Sequence, residues 1–110
     1  MDANRDADRW GALADGTRLA IVARLAEGPR AVGQLAAGLP VSRSAVSQHL
    51  KILKDAGVVT SHAVGTRRVY TVTTDGFEVL RQWLDVMWRD ALSSFAAFAD
   101  SRPNDSGDDS

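Results

Sequence analysis

The sequence contains no cysteine, which excludes disulfides and any thiolate metal or redox centre. Its two histidines are His49 and His62, so a zinc site would need carboxylate help. No apolar run approaches the ~20 residues of a membrane span. The opening Met-Asp-Ala-Asn-Arg-Asp-Ala-Asp is polar and acidic, unlike a signal peptide, and the expected location is the cytoplasm. Catalytic signatures are missing too. There is no glycine-rich phosphate loop, no Ser/His/Asp spacing and no paired carboxylates; Asp85 and Asp90, five residues apart on a helix, diverge. The sequence therefore predicts neither an enzyme nor a bound cofactor or metal.

Acid is scarce in the middle of the chain. Between Arg30 and Val72, six basic residues (Arg30, Arg43, Lys51, Lys54, Arg67 and Arg68) face one acid, Asp55, a balance of +5 in a chain of net charge −1. The carboxylates gather at the two ends. A basic middle is what a phosphate-binding surface needs.

What is present is enough for one domain: 110 residues, 45% hydrophobic and 25% charged, with a small core that a partner chain could supplement. Residues 1–8 read as a flexible N-terminus, 9–100 as the folded domain and 101–110 as a disordered acidic tail. Asp8 to Ala14 carries a short helical pattern around Trp10 and Leu13. Thr17 to Ala26 is a second helix, capped by Asp15 or Thr17. Ala31 to Ala37 is a third. A turn over Gly38-Leu39-Pro40-Val41 leads to Ser42, an N-cap for a fourth helix reaching about Ala56, where Gly57 stops it. The period then switches to two. Val58–Ala63 and Arg67–Thr73 are strands joined across Val64-Gly65-Thr66. A last helix, capped by Thr74 or Asp75, runs from Gly76 to about Asp100. The expected fold is mainly α with a small β-hairpin, in the order α-α-α-α-β-β-α. A short helix, a tight turn and a capped helix make a helix-turn-helix, and the hairpin makes it winged.

The fourth helix carries the most chemistry. Val46, Leu50 and Leu53 share one face, while Arg43, Ser44, Ser47, Gln48, Lys51 and Lys54 lie outside it. Hydroxyl, amide and basic groups without an acid before the last turn suit the major groove of double-stranded DNA. Ser44, Ser47 and Gln48 are candidates for base edges; Arg43, Lys51 and Lys54 for phosphates or guanine. His49 sits at the margin of the buried face. It is either a boundary residue hydrogen-bonded to backbone or a further phosphate contact. At the hairpin tip, Arg67 and Arg68 point to opposite faces. One can reach DNA while the other packs toward the domain.

The last helix reads differently. Phe77, Leu84, Ala91 and Phe98 recur every seven residues, with Leu80 and Met87 between them and Trp88 and Phe95 widening the stripe. So broad an apolar surface suits a helix buried on its own core and on a second copy of the chain. With Trp10 and Leu13 of the first helix, Phe77, Leu80, Leu84, Met87, Trp88, Ala91 and Phe95 are the expected homodimer contacts.

From Trp10 to Phe98 the chain resembles the ArsR/SmtB-type winged-helix repressors. The resemblance rests on Ala12-Leu13-Ala14-Asp15-Gly16-Thr17-Arg18, on Val32-Gly33-Gln34-Leu35-Ala36, on the run from Val41 to Leu53 with Ser47-Gln48-His49-Leu50, on Ala56-Gly57-Val58-Val59, and on Gly65-Thr66-Arg67-Arg68-Val69-Tyr70. It implies a homodimeric repressor with its first and last helices at the dimer interface. It also implies DNA contact from Ser44, Ser47, Gln48 and the wing arginines, at an inverted-repeat operator. Well-known members release DNA on binding metal or arsenite, through cysteines near the recognition helix or Asp/His groups on the last helix. This chain has no cysteine, and no histidine after His62, which places it with the metal-independent branch; an effector is not identified. Ala31 stands where a Ser or Thr cap is usual. The competing readings are a winged helix used as a protein-interaction module and a MarR-like, ligand-responsive regulator.

Overall fold

Local capping sets most of the element boundaries in the computed structural model, which describes the backbone of residues 2–101 and the side chains from residue 6. Helix α1 spans Asp2–Ala12, six residues earlier than the sequence pattern suggests. Arg9 in its last turn complements the helix dipole and pairs with Asp6 at 2.7 Å. Helix α2 spans Gly16–Glu27. Asp15 is its cap, its carboxylate accepting the Arg18 backbone N–H at 3.0 Å. That contact satisfies one of the orphan donors of the first turn and holds the Asp15 carboxyl below its ordinary value.

A two-residue strand, β1 (Arg30–Ala31), follows α2. It is absent from the order expected from sequence, because two residues have no period to read; the strand exists only through its pairing partner. Helix α3 (Val32–Ala37) starts from Ala31, which offers no side-chain cap. Gln34 compensates in part by accepting the Ala31 N–H at 2.8 Å. Helix α4 spans Arg43–Asp55, with Ser42 Oγ accepting the Ala45 N–H at 3.1 Å. Gly57, at φ +83°, supplies the left-handed turn that stops the helix.

Strands β2 (Val59–Val64) and β3 (Arg67–Val72) form the hairpin. Val64 pairs with Arg67, so the loop is the two residues Gly65-Thr66 rather than three. Gly65 has φ +63° and Thr66 does not share the positive sign, the pattern of a type II′ turn. The sheet is antiparallel in the order β1-β3-β2, with Arg30 opposite Tyr70 and Ala31 opposite Val69. Helix α5 runs Thr74–Asp100 and is capped by Thr73, one residue before the expected caps. The Thr73 hydroxyl does two jobs: it accepts the Gly76 N–H at 2.8 Å and donates to the Gly57 carbonyl at 2.7 Å. It thereby ties the start of α5 to the end of α4.

The core gathers Ile21, Val22 and Leu25 from α2, Leu35 from α3, Val46, Leu50 and Leu53 from α4, and Val58, Val59 and Val72 around the sheet. Only the first turns of α5 reach it, through Gly76 and Val79, with Leu80 and Trp83 packed on its edge. From Val86 to Asp100 every residue of α5 is exposed. No helix among the described residues is long and apolar enough to cross a membrane. The expected acidic tail, apart from Ser101, lies outside the described residues.

Candidate nucleic-acid interface

Helix α4 is held from three sides, and the holding groups determine what its outer face presents. Inward, Val46, Leu50 and Leu53 are buried. Toward α3, the Arg43 guanidinium packs over Gly33, in the space a Cβ there would take. The turn itself is pinned by Arg24, which donates to the Gly38 carbonyl at 2.8 Å. Toward α2, Arg18 donates through Nε to the Ala12 carbonyl at 2.8 Å, and its Nη1 lies 3.4 Å from His49 Nδ1. His49 is thus a half-buried boundary residue that lies against an arginine side chain. Arg18 braces the reading helix and Arg24 the turn before it; neither position stands out in the sequence by charge pattern or spacing.

The outer face is then Ser44, Ser47, Gln48, Lys51 and Lys54, all exposed. These side chains do not carry equal charge to a partner. Lys51 is paired with Asp55 at 3.0 Å, one turn on. Lys54 turns toward the wing, its Nζ donating to Ser61 Oγ at 3.2 Å. From the other strand, Arg68 Nη1 donates to the same oxygen at 3.2 Å. Pairing across the hairpin accounts for this. Ser61 is opposite Tyr70 and Ala63 opposite Arg68, so Ser61 and Arg68 are diagonal neighbours on the face turned toward the domain. Arg67, opposite Val64, belongs to the other face. Recognition helix and wing therefore form one continuous surface, with Ser61 at its seam.

The expected dimer residues divide. Trp10, Phe77, Leu84, Met87, Trp88, Ala91 and Phe95 are all exposed, Trp88 and Phe95 at 65% and 68%. Val86, Leu92 and Phe98 extend the same apolar display. Leu13 is a correction: it is 1% exposed and belongs to the protomer's own core. Leu80 packs against that core as well. The sequence shows Trp10 and Leu13 on one apolar stripe; it does not show that the core takes Leu13 and leaves Trp10 at its rim. A cleft of about 230 Å³ lined by Trp10, Trp83, Val86, Met87 and Asp90 separates α1 from α5. A second, of about 320 Å³, lies between α1 and α4 and is lined by Asp8, Arg18, Ile52 and Asp55 among others. Among the described residues no three His, Asp or Glu side chains stand close enough together to hold a metal ion.

Known proteins give this surface a context. Residues 15–61 match the family model described as bacterial regulatory protein, arsR family. The chain is similar to the HTH-type transcriptional regulator Rv2034 of Mycobacterium tuberculosis, at 56% identity over 96% of this chain and 99% of that protein. Among solved structures, it resembles the homodimeric winged helix-turn-helix DNA-binding domain of a possible ArsR-family regulator from Mycobacterium bovis. That likeness has 30% identity, a TM-score of 0.72, and coverage of 84% of this chain and 85% of that one. A possible transcriptional regulator for arsenical resistance matches at 40% identity and a TM-score of 0.66, covering 82% of this chain and 94% of the other. The fold, the turn pinned by Arg24, and a relative alike along nearly its whole length lead to one conclusion: the chain belongs to the ArsR family of bacterial regulatory proteins.

Proposed function

We propose that the protein is a homodimeric, sequence-specific DNA-binding transcriptional repressor acting in the bacterial cytoplasm by binding rather than catalysis. The observation that carries this reading is the outer face of α4. Ser44, Ser47 and Gln48 are exposed together on a helix fixed to the domain by three buried aliphatic residues. A glutamine amide can pair bidentately with adenine, and each such contact is worth ~1–3 kcal/mol of discrimination. Lys54, Arg67 and Arg68 supply sequence-independent affinity for phosphates beside it. The exposed apolar side chains of α5, Leu84, Met87, Trp88, Leu92 and Phe95, with Trp10 of α1, support pairing with a second copy; two-fold symmetry would then set two α4 helices against an inverted repeat.

Without cysteine, this reading includes no thiolate sensing of metals or oxidants, in keeping with a metal-independent repressor. The test is selection of bound duplexes from a random-sequence pool by the wild type and by Gln48→Ala. The expected result is an inverted-repeat consensus for the wild type, with relaxed preference at one position of each half-site in the variant. An unchanged consensus would remove Gln48 from base readout, and no consensus at all would overturn sequence-specific binding.

A further inference from the structure

We propose that Lys54, Ser61 and Arg68 form a single clamp for one phosphate diester of the DNA backbone, and that this clamp joins recognition helix to wing. The inference rests on the DNA-binding reading and adds a residue and a stoichiometry to it. Lys54 Nζ and Arg68 Nη1 both donate to Ser61 Oγ, each at 3.2 Å. Two cations are thus held no further apart than twice that distance, at an exposed site. Among the described residues neither has a carboxylate within ion-pair distance. Lys51 differs, because Asp55 already answers its charge. Like charges this close repel, and an anion between them removes the repulsion.

The hydroxyl completes the geometry. A serine oxygen has two lone pairs and one proton. Both lone pairs are engaged by the two cations, which leaves the O–H to donate outward. An ammonium, a guanidinium N–H and a hydroxyl proton then converge on one anionic oxygen group, a charge-assisted arrangement. The three residues come from α4, β2 and β3, so an anion bound there would fix the angle between helix and wing. A backbone phosphate is the anion that a site joining the end of α4, with its exposed Ser44, Ser47 and Gln48, to the wing would meet on DNA.

The clamp makes a numerical statement that separate contacts do not. Each phosphate neutralised contributes ~0.9 to the slope of log affinity against log salt. Binding of a random-sequence 30-base-pair duplex is measured across potassium chloride concentrations for the wild type, Lys54→Gln, Arg68→Gln, the double variant and Ser61→Ala. All three positions lie at the surface of a hairpin and a helix end, away from the core.

If one phosphate is shared, either single charge variant keeps a cation on it and its slope stays close to wild type, while the double variant falls by ~0.9. Ser61→Ala keeps the slope and loses about three- to tenfold in affinity, the scale of one hydrogen bond. The clamp is overturned if each single variant falls by ~0.9 and the double by ~1.8, since two phosphates are then involved. Unchanged affinity in Ser61→Ala removes the serine from the site and overturns the three-donor clamp. A wild type that binds the duplex without salt dependence contradicts the DNA reading itself, and the clamp falls with it; the mutant slopes are what separate the two failures.

Discussion

At position 76 a methyl group would meet the Val58 carbonyl oxygen and the Val72 side chain. The start of α5 comes this close to the β2 entry because the Thr73 hydroxyl draws the two together. Gly76→Ala must push the helix off, an overpacking cost of about 1–3 kcal/mol, read as a lower urea midpoint with unchanged slope. Asp15 makes a prediction in pH. The Arg18 backbone N–H holds its carboxyl below the ordinary value of 3.8 in the folded chain. As pH falls, the unfolded chain therefore takes up the proton first. The cap's contribution is complete above the ordinary carboxylate value and is lost as pH drops through the lower, folded one. Asp15→Asn keeps a capping oxygen without the charge, so its stability should vary less than wild type between neutral pH and pH 2 in chemical denaturation. Parallel profiles would show that Asp15 carries no such linkage.

Helix α4 was legible in the sequence because its packing is periodic and local: Val46, Leu50 and Leu53 at helical spacing, and Ser42 ahead of them, are all the information it needs. What surrounds it was not. β1 is two residues long and is defined by register against Tyr70 and Val69, which no window of sequence contains. Ser61 looked like an ordinary strand residue; its place beside Lys54 and Arg68 follows from hairpin register and from how the helix end meets the sheet. Arg18 stood in view within Asp15-Gly16-Thr17-Arg18, yet its reach to Ala12 on one side and His49 on the other depends on three helices meeting. At this scale the prediction concerns Arg18→Ala. It removes the link between the end of α1 and the reading helix, and should destabilise the fold by about 1.5–3 kcal/mol, the range for a hydrogen bond to a charged group. Thermal unfolding followed by far-UV circular dichroism measures it. Stability equal to wild type would mean that α4 is held by its aliphatic face alone.

The whole molecule has more apolar surface than one domain uses. Trp88, Leu92, Phe95 and Phe98 are each at least half exposed, and the stretch of α5 that bears them lies beyond the reach of its own core. A monomer would leave that surface in water; a two-fold pair buries it. Phe95→Glu should convert a dimer to a monomer in light scattering at micromolar concentration without loss of helical signal, because Phe95 touches nothing in the protomer core. A variant that stays dimeric would move the interface elsewhere. Pairing matters because it turns one reading helix into two at a fixed separation. The most direct measurement is a hydroxyl-radical footprint on a duplex selected by the wild type. A dimeric reading head predicts two equivalent protected patches on one face of the DNA, related by two-fold symmetry and centred about one helical turn apart, ~34–36 Å. A single patch, or two without symmetry, would contradict it.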